Sequence, residues 1–139
     1  MRFIILVKAS ADSEAGVMPE EPLFAAMATY HEELARAGAL LDASGLKPSA
    51  HGWRVRYEAG QRRVIDGPFA ETKELVAGYT LIDVRSREEA LEWARRFPAP
   101  HPGTCEIEVR PLYELDDFGD SAAVERFRQL APATSTPTR

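Results

Sequence analysis

The chain has 139 residues, 17 Lys and Arg against 22 Asp and Glu, a net charge of −5, and 45% hydrophobic residues with a single cysteine. That length suits one domain that buries a core without disulfides or a structural metal. The acidic balance argues against nucleic acid as a partner, since non-specific binding needs a basic footprint to displace counterions.

The opening run Arg2-Phe3-Ile4-Ile5-Leu6-Val7-Lys8 is too short for a signal core or a membrane span and reads as a strand over 2–9, apolar on both faces. It sets the expectation of a cytoplasmic protein with no membrane partner. Residues 10–21 lack periodicity and are expected to form an ordered loop leading to Pro22 at a helix start. A helix over 22–37 follows, with Leu23, Met27, Tyr30 and Leu34 on one stripe and Gly38 as its terminator. A strand over 39–45 leads to a hairpin from Trp53 to Ile65, turning at Ala59-Gly60. Arg54, Arg56, Arg62 and Arg63 read as its solvated side.

The strand over 75–84 sets Leu75, Ala77, Tyr79 and Leu81 against Val76, Ile82 and Val84, so both faces must be covered. Ser86-Arg87-Glu88-Glu89 is a capping box opening a second helix, with Ala90, Leu91, Trp93, Ala94 and Phe97 as its buried surface. A last strand spans 105–111. Cys105 alternates with Ile107 and Val109 in it, which predicts a small core residue in a reducing compartment. An acidic segment to Phe118, a short helix over 121–130 carrying Val124, Phe127 and Leu130, and a Pro/Thr/Ser-rich tail expected to be mobile complete the chain. The division is a domain over 1–118 and a C-terminal helix and tail over 119–139.

The order β-α-β-(β-β)-β-α-β predicts an α+β, ferredoxin-like fold: an antiparallel sheet, both helices on one face, and an inserted hairpin. Two central strands with two apolar faces then require a cover for the open side, and a second copy is the economical one.

The run Asp66-Gly67-Pro68-Phe69-Ala70-Glu71-Thr72-Lys73-Glu74 is the most specific stretch. Gly67 before Pro68 favours a turn, Asp66 can bond the backbone ahead of it, and Phe69 is the only large apolar group available to pin the loop, so its ring is expected to be largely buried. With Ala11 to Gly16, Gly45-Leu46-Lys47-Pro48-Ser49 and Glu88 to Trp93, the run resembles the YCII-related family, specifically its longer DGPF-domain branch, over about 1–118. The resemblance implies a dimeric α+β barrel in which two sheets pack face to face around clefts. It also implies an open choice of function. One reading is a cofactor-independent lyase, isomerase or dehydrohalogenase acting by proton transfer on a small molecule. The others are a non-catalytic binding protein associated with sigma factors, and a purely structural dimer module.

Asp66 and His31 are the candidate catalytic pair, expected to lie within hydrogen-bond reach or one water apart. Asp66 ends a strand, and His31 lies about 80° round the helix from Leu23, at the border of the apolar stripe. Glu71 and Lys73 are expected to orient a polar ligand, and Tyr79 to offer a hydroxyl to the cleft. Against this stands a structural reading of the loop, in which Asp66 only shapes the turn and Glu71, Lys73 and Glu74 form exposed ion pairs. His51 and His101 are expected to be exposed bystanders, and no metal-ligand spacing links the three histidines.

Overall fold

A computed structural model describes residues 1–130. The described residues form six strands, β1 (Arg2–Lys8), β2 (Leu40–Gly45), β3 (Trp53–Glu58), β4 (Gln61–Asp66), β5 (Val76–Asp83) and β6 (Ile107–Pro111), with α1 (Ala11–Glu14) and α2 (Glu21–Arg36) between β1 and β2, α3 (Arg87–Arg95) between β5 and β6, and α4 (Ala122–Gln129) after β6. Four strands form one sheet in the order β2-β5-β1-β6, every neighbour antiparallel, and β3 with β4 forms a separate hairpin. Without the hairpin this is the ferredoxin-like βαββαβ order, with the two strands adjacent to helices at the centre.

The register explains the two faces. Phe3 opposes Ile82 and Ile5 opposes Thr80 on the side covered by α2 and α3. Tyr30 and Leu34 of α2 and Ala90 and Trp93 of α3 close that core, with Phe97, Ile107 and Val109 packed at its margin. On the opposite side Ile4 opposes Leu81 and Leu6 opposes Tyr79, all four only partly covered. Arg110 and Glu108 beside them on β6, and Asp42 and Ser44 on β2, give this apolar strip polar borders.

Local chemistry sets the helix ends. Gly38 and Ala39 donate their amides to the carbonyls of Ala35 and Leu34, closing α2 with the paired bonds of a Schellman end. Residues 10–21 do not form a continuous loop: Ser10 caps α1 by accepting from the Ser13 amide, and the Ser13 side chain answers at the Ser10 backbone. The capping box at α3 is half made. Ser86 accepts from the Glu89 amide, but the Glu89 carboxylate reaches past the cap to the Arg85 amide, which holds its ionisation below the usual carboxylate range.

Several expected core positions lie elsewhere. Leu91, one residue beyond the inward-facing Ala90, turns to solvent, as do Phe127 and Leu130, while Val124 alone anchors α4. Cys105 precedes β6 instead of sitting in it, half-buried, with its thiol toward the His101 carbonyl. The tail from residue 131 lies outside the described residues, and none of the described helices is long and apolar enough to cross a membrane.

Tyr30 ties the two helices together. Its hydroxyl donates to the Trp93 carbonyl at 2.8 Å, and its ring stands edge-on to Trp93 and Phe97. Burial pushes its ionisation well above that of a free phenol, so it stays a donor. Tyr30→Phe removes that donor alone, and because the Trp93 carbonyl keeps the Arg96 amide as a partner, the expected loss is about 1 kcal/mol in urea denaturation. No measurable change would mean that packing alone docks α3.

Candidate functional site

The signature loop is fixed by backbone contact. Gly67, joined to Pro68 by a cis peptide, lies so close to the turn Ser49–His51 that a Cβ there would stand 1.9 Å from the Ser49 carbonyl oxygen and 2.7 Å from its carbon. The Gly67 amide donates to the Gly52 carbonyl at 3.0 Å. Ser49 completes the join: its hydroxyl accepts from the Phe69 amide at 3.0 Å and donates to the Glu14 carboxylate, whose other oxygen accepts the Ser49 amide at 2.9 Å. Three segments far apart in sequence therefore meet on one serine. Hydrogen bonds to a charged carboxylate are the stronger kind, and Glu14 and Ser49 are both half-buried.

The charged residues of the loop take no part in this. Asp66 is exposed, and its carboxylate makes no hydrogen bond or ion pair among the described residues, not even to its own turn. Glu71 precedes the short turn Thr72–Glu74 and Lys73 lies within it, both exposed, and neither they nor Glu74 enters an ion pair among the described residues. Phe69 is half-buried, less than the largely buried ring expected, because its cover is the Arg54 guanidinium stacked 3.8 Å from the ring centroid.

His31 lies at the seam between α2 and the sheet. Its Nδ1 is 2.7 Å from the Met27 carbonyl one turn back, and its Nε2 is 2.8 Å from the Thr80 hydroxyl on β5. A carbonyl oxygen only accepts, so Nδ1 carries a proton, and in the neutral form of the ring Nε2 is the acceptor that faces Thr80. The imidazole is half-buried, edge-on to Tyr30 at 5.3 Å and Phe97 at 6.2 Å, while Thr80 is 2% exposed. Both ring nitrogens thus have partners other than Asp66, and within the chain the two residues are not joined.

Periodicity alone does not mark Thr80 as a site residue; the signal for it is the row Val76, Gly78, Thr80, Ile82, Val84, in which one hydroxyl breaks an otherwise apolar or small series. Tyr79 points to the open sheet face and donates to the Asp42 carboxylate at 2.8 Å. His51 is exposed, as expected, but His101 is half-buried: Nε2 donates to the Lys8 carbonyl at 2.9 Å and Nδ1 lies 3.4 Å from the Ser10 hydroxyl, pinning the loop before β6 to the end of β1. No group of three or more His, Cys, Asp or Glu among the described residues is arranged to hold a metal ion.

Residues 1–113 match the YCII-related domain, and the chain belongs to that family. A relative from Rhizobium meliloti (strain 1021), "Uncharacterized protein R00369", is 39% identical over 93 residues, covering 67% of this chain and 75% of its own. Among solved structures, 5-chloro-2-hydroxyhydroquinone dehydrochlorinase (TftG) from Burkholderia phenoliruptrix AC1100, in complex with 2,5-dihydroxybenzoquinone, is 16% identical with a TM-score of 0.46, covering 81% of this chain and 94% of that one.

The close approach at Gly67 predicts a steep penalty for any side chain there. Gly67→Ala should cost roughly 1–3 kcal/mol or more by denaturant titration, since backbone and not a flexible side chain must move aside. Gly45→Ala, with open space around it, should leave the transition within about 0.5 kcal/mol. Equal effects at both positions would remove the join from the account.

Proposed function

We propose that the protein is a homodimer, its sheets packed face to face through Ile4, Leu6, Tyr79 and Leu81, that binds a small polar or aromatic molecule beside the helix–sheet seam and moves a proton on it without a cofactor. The observation that carries this is His31: a half-buried imidazole held in one tautomer by the Met27 carbonyl, with Nε2 turned to a buried hydroxyl. In that tautomer Nε2 is the basic atom. A proton taken from a substrate carbon would leave an imidazolium whose Nδ1–H remains bonded to Met27, and the freed Thr80 hydroxyl would donate to a substrate oxygen. Return of the proton to another atom gives an isomerase, and departure of a leaving group gives a lyase. The run Asp66-Gly67-Pro68-Phe69 supports placement in the DGPF branch.

A second reading, a binding protein without turnover, draws on a different observation. No carboxylate among the described residues hydrogen-bonds His31, and Asp66, Glu71 and Lys73 stand exposed, as charges that grip a ligand or partner would.

Two measurements test these readings. Sedimentation at micromolar concentration should give twice the 15.4 kDa chain mass, and a monomer would sink the dimer. Deuterium exchange into enolisable carbonyl compounds, followed by proton NMR, should be catalysed by the wild type. His31→Gln should slow it by about a hundredfold or more, with the melting temperature lowered only a few degrees. Exchange unchanged by His31→Gln would refute the acid–base role, and tight binding without exchange would favour the second reading.

A further inference from the structure

The hairpin leaves both of its sides largely exposed, and one of the two is apolar. Pairing puts Trp53, Val55, Tyr57, Arg62, Val64 and Asp66 on one face, and Arg54, Arg56, Glu58, Arg63 and Ile65 on the other. Arg54 stacks on Phe69 of the signature loop and Ile65 beside it is partly buried, whereas Arg56, Glu58 and Arg63 of the charged face stand in solvent. The other face is bare: Trp53 is 66% exposed, Tyr57 70% and Val64 62%. Strand residues that face water are ordinarily polar, and two strands without a further layer are marginal in water. This face therefore lacks a partner.

We propose that its partner is the same face of the hairpin in a second copy of this chain, related by a twofold axis. The charge pattern is self-complementary. Arg62 lies near the turn and Asp66 at the base of the same strand, four residues or about 13 Å apart, and neither enters an ion pair among the described residues. Two such faces stacked with the turn of one over the base of the other bring Arg62 onto Asp66 of the partner subunit, and the twofold makes the contact twice. Between these pairs the aromatic and valine side chains cover one another. Arginines beside Trp53 and Tyr57 also suit single-stranded nucleic acid. The net charge of −5 and the carboxylate within the face favour the second copy. The inference extends the dimer proposed above with a separate contact on a separate element.

Sedimentation of the full chain tests it with Arg62→Asp, Asp66→Arg and the double exchange, all on an exposed hairpin outside the core. Each single change should weaken self-association about tenfold, because it sets like charges together at both symmetric contacts, and the double exchange should restore it to within about threefold. Trp53 fluorescence should shift to the blue and resist quenching as the protein associates, over the constant signal of buried Trp93. A double exchange no better than the singles, or Trp53 equally quenched in monomer and dimer, would overturn the hairpin contact. If Leu81→Asp then abolished association, the sheet-face dimer would stand without it, and a wild type that never associates would overturn both. A single-stranded DNA oligomer that shields Trp53 in a monomer would also overturn it.

Discussion

Everything at one end of the sheet depends on the contact of Gly67 with Ser49. Two stretches of backbone touch where no side chain fits between them, and a single serine hydroxyl serves as acceptor for the signature loop and donor to Glu14. The consequence reaches beyond the loop. Ser49 follows β2 and Phe69 precedes β5, so fixing one on the other fixes the register in which Gly45 opposes Gly78 and Ala43 opposes Thr80. The amides of Ala9 and Leu46 add bonds to the carbonyls of Leu75 and Ala77 at the same end. Thr80 is thereby set beneath His31, and the hydroxyl that Nε2 meets follows from the register of a strand.

The two faces of the sheet divide the molecule's tasks. The helix side buries Phe3, Ile5 and Ile82 under Tyr30, Leu34 and Trp93, and admits polarity only at Thr80, where a hydrogen bond compensates it. The open side keeps Ile4, Leu6 and Leu81 between Arg110 and Asp42, the layout of an apolar centre with a polar rim. The proposed acid–base chemistry at the helix seam and the proposed association at the open face are compatible, because one strand, β5, presents alternate residues to each side.

The fold was legible because β1 and β5 carry apolar residues on both faces and the helices have clear stripes and terminators, signals that are local and periodic. The signature loop was legible as an ordered element, and both its glycine and its phenylalanine are used. Its mode of fixation was not, since Glu14 and Ser49 meet it only after three turns of unrelated sequence fold together. The same limit applied to His31. Its place on the helix border follows from residue spacing, whereas its partner Thr80 depends on strand register, and the carboxylate of Asp66, prominent by its charge, bonds nothing among the described residues. Capping at α3 shows the limit in small: the right residues are present, and the carboxylate chose the Arg85 amide one position away.

Amide hydrogen exchange resolved by residue tests the join most directly. The Phe69, Gly67 and Ser49 amides, which donate to the Ser49 hydroxyl, the Gly52 carbonyl and Glu14, should be protected together in the wild type. In Glu14→Gln all three should exchange faster as a unit, with the Thr80 amide following to a smaller degree as β5 loosens. Unprotected exchange at Phe69 in the wild type, or a Glu14 change felt at Ser49 alone, would contradict the claim that one serine holds the signature loop and, through it, the strand beneath His31.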